Sequence, residues 1–213
     1  MKLHTYFRSS AAYRVRIALG LKGLQYEALP VHLVRGGGEQ RRPEYLALNP
    51  AGLVPTLEEG DLALTQSLAI IEYLEETRPL PPLLPATPGE RARVRAIAQL
   101  IACDIHPLNN LRVLQYLGQM GIDEDGRAQW YRHWVGSGLA AVEAMLARDA
   151  HTGDFCHGDT PGLADCCLIP QVFNARRFDC DLGAMPNVVR IAENCASIEA
   201  FRLAAPGQQP DAE

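Results

Sequence analysis

Three consecutive residues, Arg8, Ser9 and Ser10, stand where a predicted strand is followed by a predicted helix. A helix N-terminus presents free N–H groups and a partial positive charge, so it attracts anions. A serine hydroxyl there can cap the helix, or it can donate a hydrogen bond to a bound anion. A thiolate is such an anion, and helix N-termini lower the pKa of thiols. The alternative is a plain helix cap beside a solvated arginine.

A second candidate binding place is the segment Leu53-Val54-Pro55-Thr56. Proline cannot donate to a strand ladder, so Pro55 belongs at a sheet edge or in a cis turn. A cis bond would leave the backbone N–H and C=O of Val54 free to pair with a peptide-like ligand. An edge proline without a ligand is the alternative.

A third candidate is Gln66-Ser67, at the start of another predicted helix. Two hydrogen-bonding side chains beside the free N–H groups of a helix N-terminus make a suitable cradle for a carboxylate. The alternative is helix capping alone, by Thr65, Gln66 or Ser67.

The elements that must position these sites follow from the hydrophobic periodicity of the first 78 residues. The predicted order is β-α-β-α-β-β-α. Strands are expected at residues 2–6 and 26–34 and in the segments VPTLEE and LAL. Helices are expected at residues 10–22 and in the segment that begins TQS, with a Gly-rich loop and a short helix at residues 35–45. In the first helix, Arg14 and Arg16 stand between the apolar positions. A strand, a crossing helix and a second strand predict a parallel strand pair.

The rest of the chain is predicted to be helical. A proline-rich linker is expected at 79–88, followed by long helices at 89–116 and 127–148 and shorter ones at 162–176 and 187–197. The tail PGQQPDAE is expected to be polar and loosely held. The sequence thus predicts two domains, an α/β domain over residues 1–80 and an all-α domain over residues 87–213.

Composition limits the classes of function. The 213 residues are 47% hydrophobic and 21% charged, an ordinary globular balance. The net charge of −5 argues against nucleic acid as the main partner, while a small anionic ligand stays possible. No apolar run resembles a signal peptide or a membrane span, so we predict a cytoplasmic protein without a membrane partner. The six cysteines lack zinc-ligand spacing, so we predict buried apolar thiols and no metal.

Taken in order, the motifs resemble one known family. They are RSSAAYRVRIALGLKG, LNPAGLVPTLE, TQSLAIIEYLEE, DIHPLNNLRVL and GDTPGLADCCLIPQVFNARRFDCDL. Together they resemble the zeta class of glutathione transferases, which includes maleylacetoacetate isomerase and bacterial maleylpyruvate isomerase. The resemblance runs from residue 1 to about residue 205. It implies a thioredoxin-like α/β domain followed by an all-α domain, the glutathione transferase fold, and a homodimer.

The resemblance implies glutathione as the cofactor, bound mainly by the first domain. The residues it assigns to glutathione are Ser9 with Ser10 behind it at the sulfur, Val54 with Pro55 at the cysteinyl backbone, Gln66 and Ser67 at the γ-glutamyl carboxylate, Gln40 toward the glycyl end, and His106 and Asn110 closing over the tripeptide.

The family's substrate is a cis-dicarboxylate with a conjugated keto group, so it needs cations. Arg8 is the first candidate, and the family pattern Asn-Ala-x-Arg-Phe favours Arg177 over Arg176. Arg112 is a weaker candidate. The alternative for Arg176 and Arg177 is one solvated and one salt-bridged arginine. Some maleylpyruvate-type sequences carry an arginine where this chain has Leu111, which favours maleylacetoacetate slightly.

The activity implied is glutathione-dependent cis–trans isomerisation of a maleyl-keto acid to the fumaryl product in aromatic catabolism. One departure is Ala11, where the family commonly has cysteine after the two serines. Three alternatives are weighed against it. A broad glutathione transferase would conjugate or dehalogenate small electrophiles, but the candidate arginines argue against it. A non-catalytic binding protein would keep only the fold, but Ser9, Gln66 and Ser67 are all present. A thiol-disulfide oxidoreductase would need a cysteine at the start of the first helix, and the chain has none there.

Overall fold

A computed structural model describes all residues from 1 to 213. The chain divides into two compact units, one formed by Met1–Leu83 with Ser197–Glu213 and the other by Leu84–Ala196. The strands are β1 (Lys2–Thr5), β2 (Glu27–Pro30), β3 (Thr56–Glu59) and β4 (Leu62–Thr65). The helices are α1 (Ser10–Leu21), α2 (Pro43–Leu48), α3 (Ser67–Thr77), α4 (Pro88–Gln99), α5 (His106–Leu108), α6 (Leu111–Gln119), α7 (Glu124–Ala147), α8 (Leu163–Arg177), α9 (Pro186–Ala196) and α10 (Glu199–Ala204).

The first unit is built on a four-stranded mixed sheet in the order β2-β1-β3-β4. β1 pairs with β2 in parallel, as predicted, and with β3 in antiparallel orientation. β3 and β4 form a hairpin, with Gly60 in the turn at a φ of 58°. Leu3 and Leu57 face each other across β1 and β3 and are fully buried, so the core of this unit lies against the two central strands.

Two arginines of α1 are buried, which the sequence analysis did not anticipate. Arg14 and Arg16 are 2% and 1% exposed and rank among the largest buried side chains. A buried charge is tolerated only when hydrogen bonds replace its water. Arg16 donates such bonds to Thr5 Oγ1 at 3.0 Å and to the Ala204 carbonyl at 3.0 Å.

The prediction of a loosely held tail is wrong. The residues after the second unit form α10 and a short 3-10 turn at Pro206–Gln208. The Gln209 side chain donates to the carbonyls of Leu203 and Ala205 at 2.8 and 3.0 Å. Polar composition alone does not indicate mobility when the polar groups find partners in the folded chain.

The second unit consists of helices α4 to α9. The prediction of a single helix over 89–116 is wrong. In the structure α4 is followed by a π-helical segment at Leu100–Ile105, the short α5, a break, and then α6. Pro107 lacks an N–H, and the Asn110 side chain accepts from the Arg112 N–H at 3.1 Å to start a new helix. No helix of the structure is long and apolar enough to cross a membrane.

Candidate active site

Strand register brings the three candidate sites of the first unit to one end of the sheet. Thr5 at the end of β1 pairs with Pro30 at the end of β2, and His4 pairs with Thr56 at the start of β3. Thr56 in turn pairs with Thr65 at the end of β4. The segments that follow β1, β2 and β4, and the one that precedes β3, therefore meet at this end.

Ser9 is the N-cap of α1, as the first interpretation of the serines required. Its Oγ accepts from the Ala12 N–H at 3.2 Å, and its own N–H donates to the Tyr6 carbonyl at 2.9 Å. A hydroxyl both accepts and donates, so capping leaves the Ser9 proton available for an anion. Ser10 is buried behind it at 6% exposure. The exposed Arg8 guanidinium lies 4.8 Å from the centre of the Phe7 ring.

The Val54-Pro55 peptide bond is cis, and Val54 is buried beside Tyr6 and Phe7 in one apolar cluster. Two side chains hold this turn. Tyr45 and Asn49 both donate to the Leu53 carbonyl at 2.7 Å. The sequence analysis missed both residues, because their role depends on α2 folding back onto the start of β3.

Gln66 occupies the N-cap position of α3 with a φ of 67°, a left-handed backbone that is uncommon for residues other than glycine. Such strain is often found at functional sites. Its exposed side chain makes no capping bond, so the capping alternative fails for Gln66. Ser67 is buried, and its Oγ accepts from Arg14 Nη1 at 3.2 Å. A buried cation therefore lies behind the proposed carboxylate cradle.

Gln40 lies in a 3-10 turn of the loop that follows β2. Its Nε2 donates to the Leu33 carbonyl at 3.2 Å, and the residue is buried. Its Oε1 has no hydrogen-bond partner within the chain. A buried acceptor without a partner is uncommon in folded proteins, which keeps Gln40 a candidate binding residue.

The other candidate residues belong to the second unit. His106 begins α5 and Asn110 caps α6, so both lie on the segment where the predicted long helix is broken. Two side chains stabilise this segment. Asn109 Nδ2 donates to the Ile105 carbonyl at 3.1 Å, and the Trp130 indole N–H donates to the Leu108 carbonyl at 2.8 Å.

The candidate substrate arginines are exposed. Arg112 lies in the first turn of α6, and Arg176 and Arg177 form the last turn of α8. The Arg177 guanidinium lies 5.3 Å from the Phe178 ring centre, and that ring stacks on Tyr131 at 3.6 Å. Aromatic stacking of this kind restrains a long arginine side chain.

None of the six cysteines forms a disulfide bond. Cys156, Cys166, Cys167 and Cys195 are buried, as predicted, whereas Cys103 is exposed and Cys180 is half-buried. Burial raises the pKa of the Cys156 and Cys166 thiols far above the ordinary value, so these groups stay protonated. The start of α1 carries Ala11 and Ala12 rather than a thiol.

Comparison with known proteins agrees with this fold. The family model described as "Glutathione S-transferase, N-terminal domain" matches residues 3–82, a range that contains β2 to β4, α1 to α3 and all of β1 except Lys2. This match confirms the predicted class of the first domain.

Relatives extend the match to the whole chain. Maleylacetoacetate isomerase of Pseudomonas aeruginosa is 55% identical over 99% of this chain and 98% of that protein. A holo structure of a bacterial zeta-class maleylpyruvate isomerase is 48% identical, with a TM-score of 0.97 over 100% of both chains. Maleylacetoacetate isomerase of Methylobacterium extorquens, solved with malonate and glutathione, is 44% identical with a TM-score of 0.95, again over 100% of both. The chain belongs to the zeta-class glutathione transferase family of maleylacetoacetate and maleylpyruvate isomerases.

Proposed function

We propose that this chain is a glutathione-dependent cis–trans isomerase of a maleyl-keto acid, which it converts to the fumaryl product in aromatic catabolism. The observation that carries the proposal is Ser9. Its Oγ caps α1 as an acceptor, so the hydroxyl proton remains available as a donor. Ser9 lies at the end of the sheet where the segments that contain Val54 and Gln66 also meet. Relatives that share about half of the sequence over the full chain carry this activity in their names.

The residues of the first domain, 1–80, fit the parts of glutathione by donor and acceptor. Ser9 offers a hydroxyl to the sulfur, with Ser10 behind it. The Val54-Pro55 segment offers its backbone to the cysteinyl unit. Gln66 and Ser67 offer side-chain groups and a helix N-terminus to the γ-glutamyl carboxylate, with Arg14 adding positive charge.

Three residues would complete the glutathione site. Gln40 serves the glycyl end, where its unsatisfied Oε1 can accept an N–H. From the resemblance to the family, we assign His106 and Asn110, which lie in the second unit (Leu84–Ala196), to the tripeptide as well.

When bound, glutathione would supply a thiolate for reversible addition to the cis double bond, which is the chemistry that rotation to the trans product needs. The work of the chain is to make that thiolate available and to hold the alkene. The α1 N-terminus and the Ser9 hydroxyl stabilise negative charge on sulfur, which lowers the pKa of the thiol. Arg8 adds a positive charge next to the serines. No nucleophile from the protein is required, so Ala11 in place of the family's cysteine leaves this chemistry intact.

The substrate is a small dicarboxylate held by arginines. Arg8, Arg177, Arg176 and Arg112 are the candidates, and the aromatic contact of Arg177 favours it among those of the helical domain. Guanidinium groups bind carboxylates through two parallel hydrogen bonds, which fixes orientation as well as affinity. Leu111 favours maleylacetoacetate over maleylpyruvate.

From the resemblance to the zeta class, we infer that this enzyme is a homodimer. We also infer that it is located in the cytoplasm. Light scattering after size-exclusion chromatography tests the dimer directly. A mass of twice 23.3 kDa is expected, and a mass of 23.3 kDa would contradict it.

The function is tested by spectrophotometric assay of maleylacetoacetate and maleylpyruvate, each with and without glutathione. We expect conversion only with glutathione, and faster conversion of maleylacetoacetate. Conversion that is independent of glutathione would contradict the mechanism. Bound glutathione without conversion of either acid would favour the broad transferase, which a conjugation assay with small electrophiles then tests.

A further inference from the structure

A buried arginine, Arg16, fixes the backbone of the turn formed by residues 6–9, which ends at Ser9. Arg16 Nη1 donates to the Tyr6 carbonyl at 3.3 Å, and its Nη2 donates to the Phe7 carbonyl at 3.1 Å. Charge-assisted hydrogen bonds shielded from water are stronger than neutral ones. Burial lowers the pKa of Arg16 to about 10, which still leaves the guanidinium charged at neutral pH.

A carboxylate from the far end of the chain takes the N–H of the same turn. Asp211 Oδ2 accepts from the Phe7 N–H at 3.0 Å, across 204 positions of sequence. Arg16 reaches the same final segment, because its Nε donates to the Ala204 carbonyl at 3.0 Å. Asp211 also opposes the effect of burial on the pKa of Arg16 through its negative charge. Both the N–H and the carbonyl of Phe7 are therefore hydrogen-bonded, the first to Asp211 and the second to Arg16.

The segment that supplies Asp211 is itself anchored. Gln209 is buried, and its side-chain amide donates to the carbonyls of Leu203 and Ala205. The 3-10 turn at Pro206–Gln208 then directs the chain back toward the Ser9 turn. Asp211 is thus presented from a fixed backbone, which lowers the entropy cost of its bond to Phe7.

We propose that Asp211 is a positioning residue for the isomerisation, which it serves by orienting the turn that ends at Ser9. The proposal rests on the proposed function, because it assumes that Ser9 stabilises the sulfur of glutathione. The Ser9 N–H donates to the Tyr6 carbonyl at 2.9 Å, so rotation of the Phe7 peptide would displace Ser9. A displaced hydroxyl no longer points at the sulfur, and small misplacements at a reacting centre are costly.

Three variants separate the positioning role of Asp211 from an effect of its charge and from the general loss of a carboxylate. Asp211→Ala removes the acceptor of the Phe7 N–H. Asp211→Asn removes the charge but keeps a carbonyl oxygen that can accept the same bond. Asp181→Ala is the matched control, since Asp181 accepts one backbone N–H, that of Gly183 at 2.8 Å, in the other unit of the chain.

The first readout is the pKa of enzyme-bound glutathione, measured by the ultraviolet absorbance of the thiolate, together with kcat and KM. Asp211→Ala should raise that thiol pKa and lower kcat about tenfold, with the KM of the maleyl acid little changed. Asp211→Asn and Asp181→Ala should behave like the unmodified protein. An unchanged thiol pKa and kcat in Asp211→Ala would overturn the proposal. Equal losses in Asp211→Asn and Asp211→Ala would also overturn it, because charge rather than the hydrogen bond would then matter.

The second readout needs no glutathione. Amide hydrogen exchange of residues 6–10 should be faster in Asp211→Ala than in Asp211→Asn, because only the former frees the Phe7 N–H. If the unmodified protein fails to isomerise either acid, the proposed function is contradicted, and exchange still decides whether Asp211 holds the turn. Identical exchange in the two variants would overturn the positioning role.

Discussion

At the residue scale, the geometry of Ser9 is compatible with two roles that the sequence presented as alternatives. Its Oγ accepts from the Ala12 N–H to cap α1, and its proton is left for the anion that we propose, the sulfur of glutathione. A hydroxyl can do both because its lone pairs and its proton point in different directions. The choice between a helix cap and an anion site was therefore not exclusive.

Ser9→Ala should lower kcat about a hundredfold, a typical loss for one donor to a developing anion. It should also cost about 1 kcal/mol of stability through the lost cap. Ser9→Asp separates the two effects, because aspartate caps well but repels a thiolate. We expect Ser9→Asp to keep its denaturant midpoint and to raise the pKa of bound glutathione. Thiolate absorbance and urea unfolding measure both, and an unchanged thiol pKa in both variants would contradict the assignment.

Arg177→Ala should raise the KM for the maleyl acid about tenfold or more, since bonds to charged groups are worth about 1.5–3 kcal/mol. Arg177→Lys should recover only part of the loss, because an ammonium cannot bind a carboxylate in bidentate fashion. Arg176→Ala, on the same helix turn, should have the smaller effect. Steady-state kinetics with glutathione saturating measure all three. A larger effect from Arg176→Ala would reverse the assignment.

At the element scale, the interrupted helix between α4 and α6 matters most. A π-helical segment precedes His106, and α6 starts afresh at Asn110. π-helical turns are uncommon and often lie at functional sites. The segment packs closely on α7, because a Cβ at Gly138 would come within 2.3 Å of Ile105. The interruption therefore places His106 and Asn110, two candidate glutathione-binding residues, on one short segment that is packed against α7.

Trp130→Phe should raise the KM for glutathione about threefold to tenfold, because it removes the bond to the Leu108 carbonyl while keeping an aromatic ring. Trp134→Phe is the matched control on the same helix, where the indole contacts are with the rings of Trp130 and His133.

The chain has two tryptophans, so Trp134→Phe leaves Trp130 as the single fluorescent reporter. Its emission should change on glutathione binding. Equal KM values in the two variants would contradict the role of Trp130.

At the scale of the whole molecule, stability at low pH depends on surface networks as well as on the core. Asp149 accepts from the backbone and ring of His151 and from Arg93, and these contacts hold the pKa of Asp149 at about 2. A folded-state pKa below the ordinary value of 3.8 adds stability above that value. The contribution is lost as the pH falls from 3.8 toward about 2.

Asp149→Asn should therefore lower the urea midpoint at neutral pH but flatten its decline between pH 4 and pH 2, about the range in which Asp149 takes up its proton. The effect is modest because the Asp149 side chain is partly exposed to solvent. Asp154→Asn, in the loop that follows, is the control. Parallel decline in Asp149→Asn and the unmodified protein would contradict the shifted pKa.

The sequence by itself determined the local features of this protein. The cap at Ser9 and the start of α3 at Ser67 depend on neighbours within a few residues, so short motifs predicted them. The motif at Pro55 limited that bond to two alternatives, a sheet edge or a cis turn, and the structure has the cis bond. The periodicity of the first 78 residues likewise predicted the strand order along the chain and the parallel pair. Local hydrogen bonds and alternation of apolar residues carry this information in the sequence.

Only the tertiary structure decided which distant groups meet. Arg16 lies 188 residues from the Ala204 carbonyl that it binds, and no pattern in α1 indicates that acceptor. The final segment appeared loose because its polar composition does not reveal which groups become hydrogen-bonded, such as Gln209 to the Leu203 and Ala205 carbonyls and Asp211 to the Phe7 N–H. The break at residues 105–110 was missed because its apolar spacing continues through it, while Pro107 and Asn110 redirect the backbone. Burial and pairing of polar groups are set by the folded chain, since each needs a partner that local sequence does not reveal.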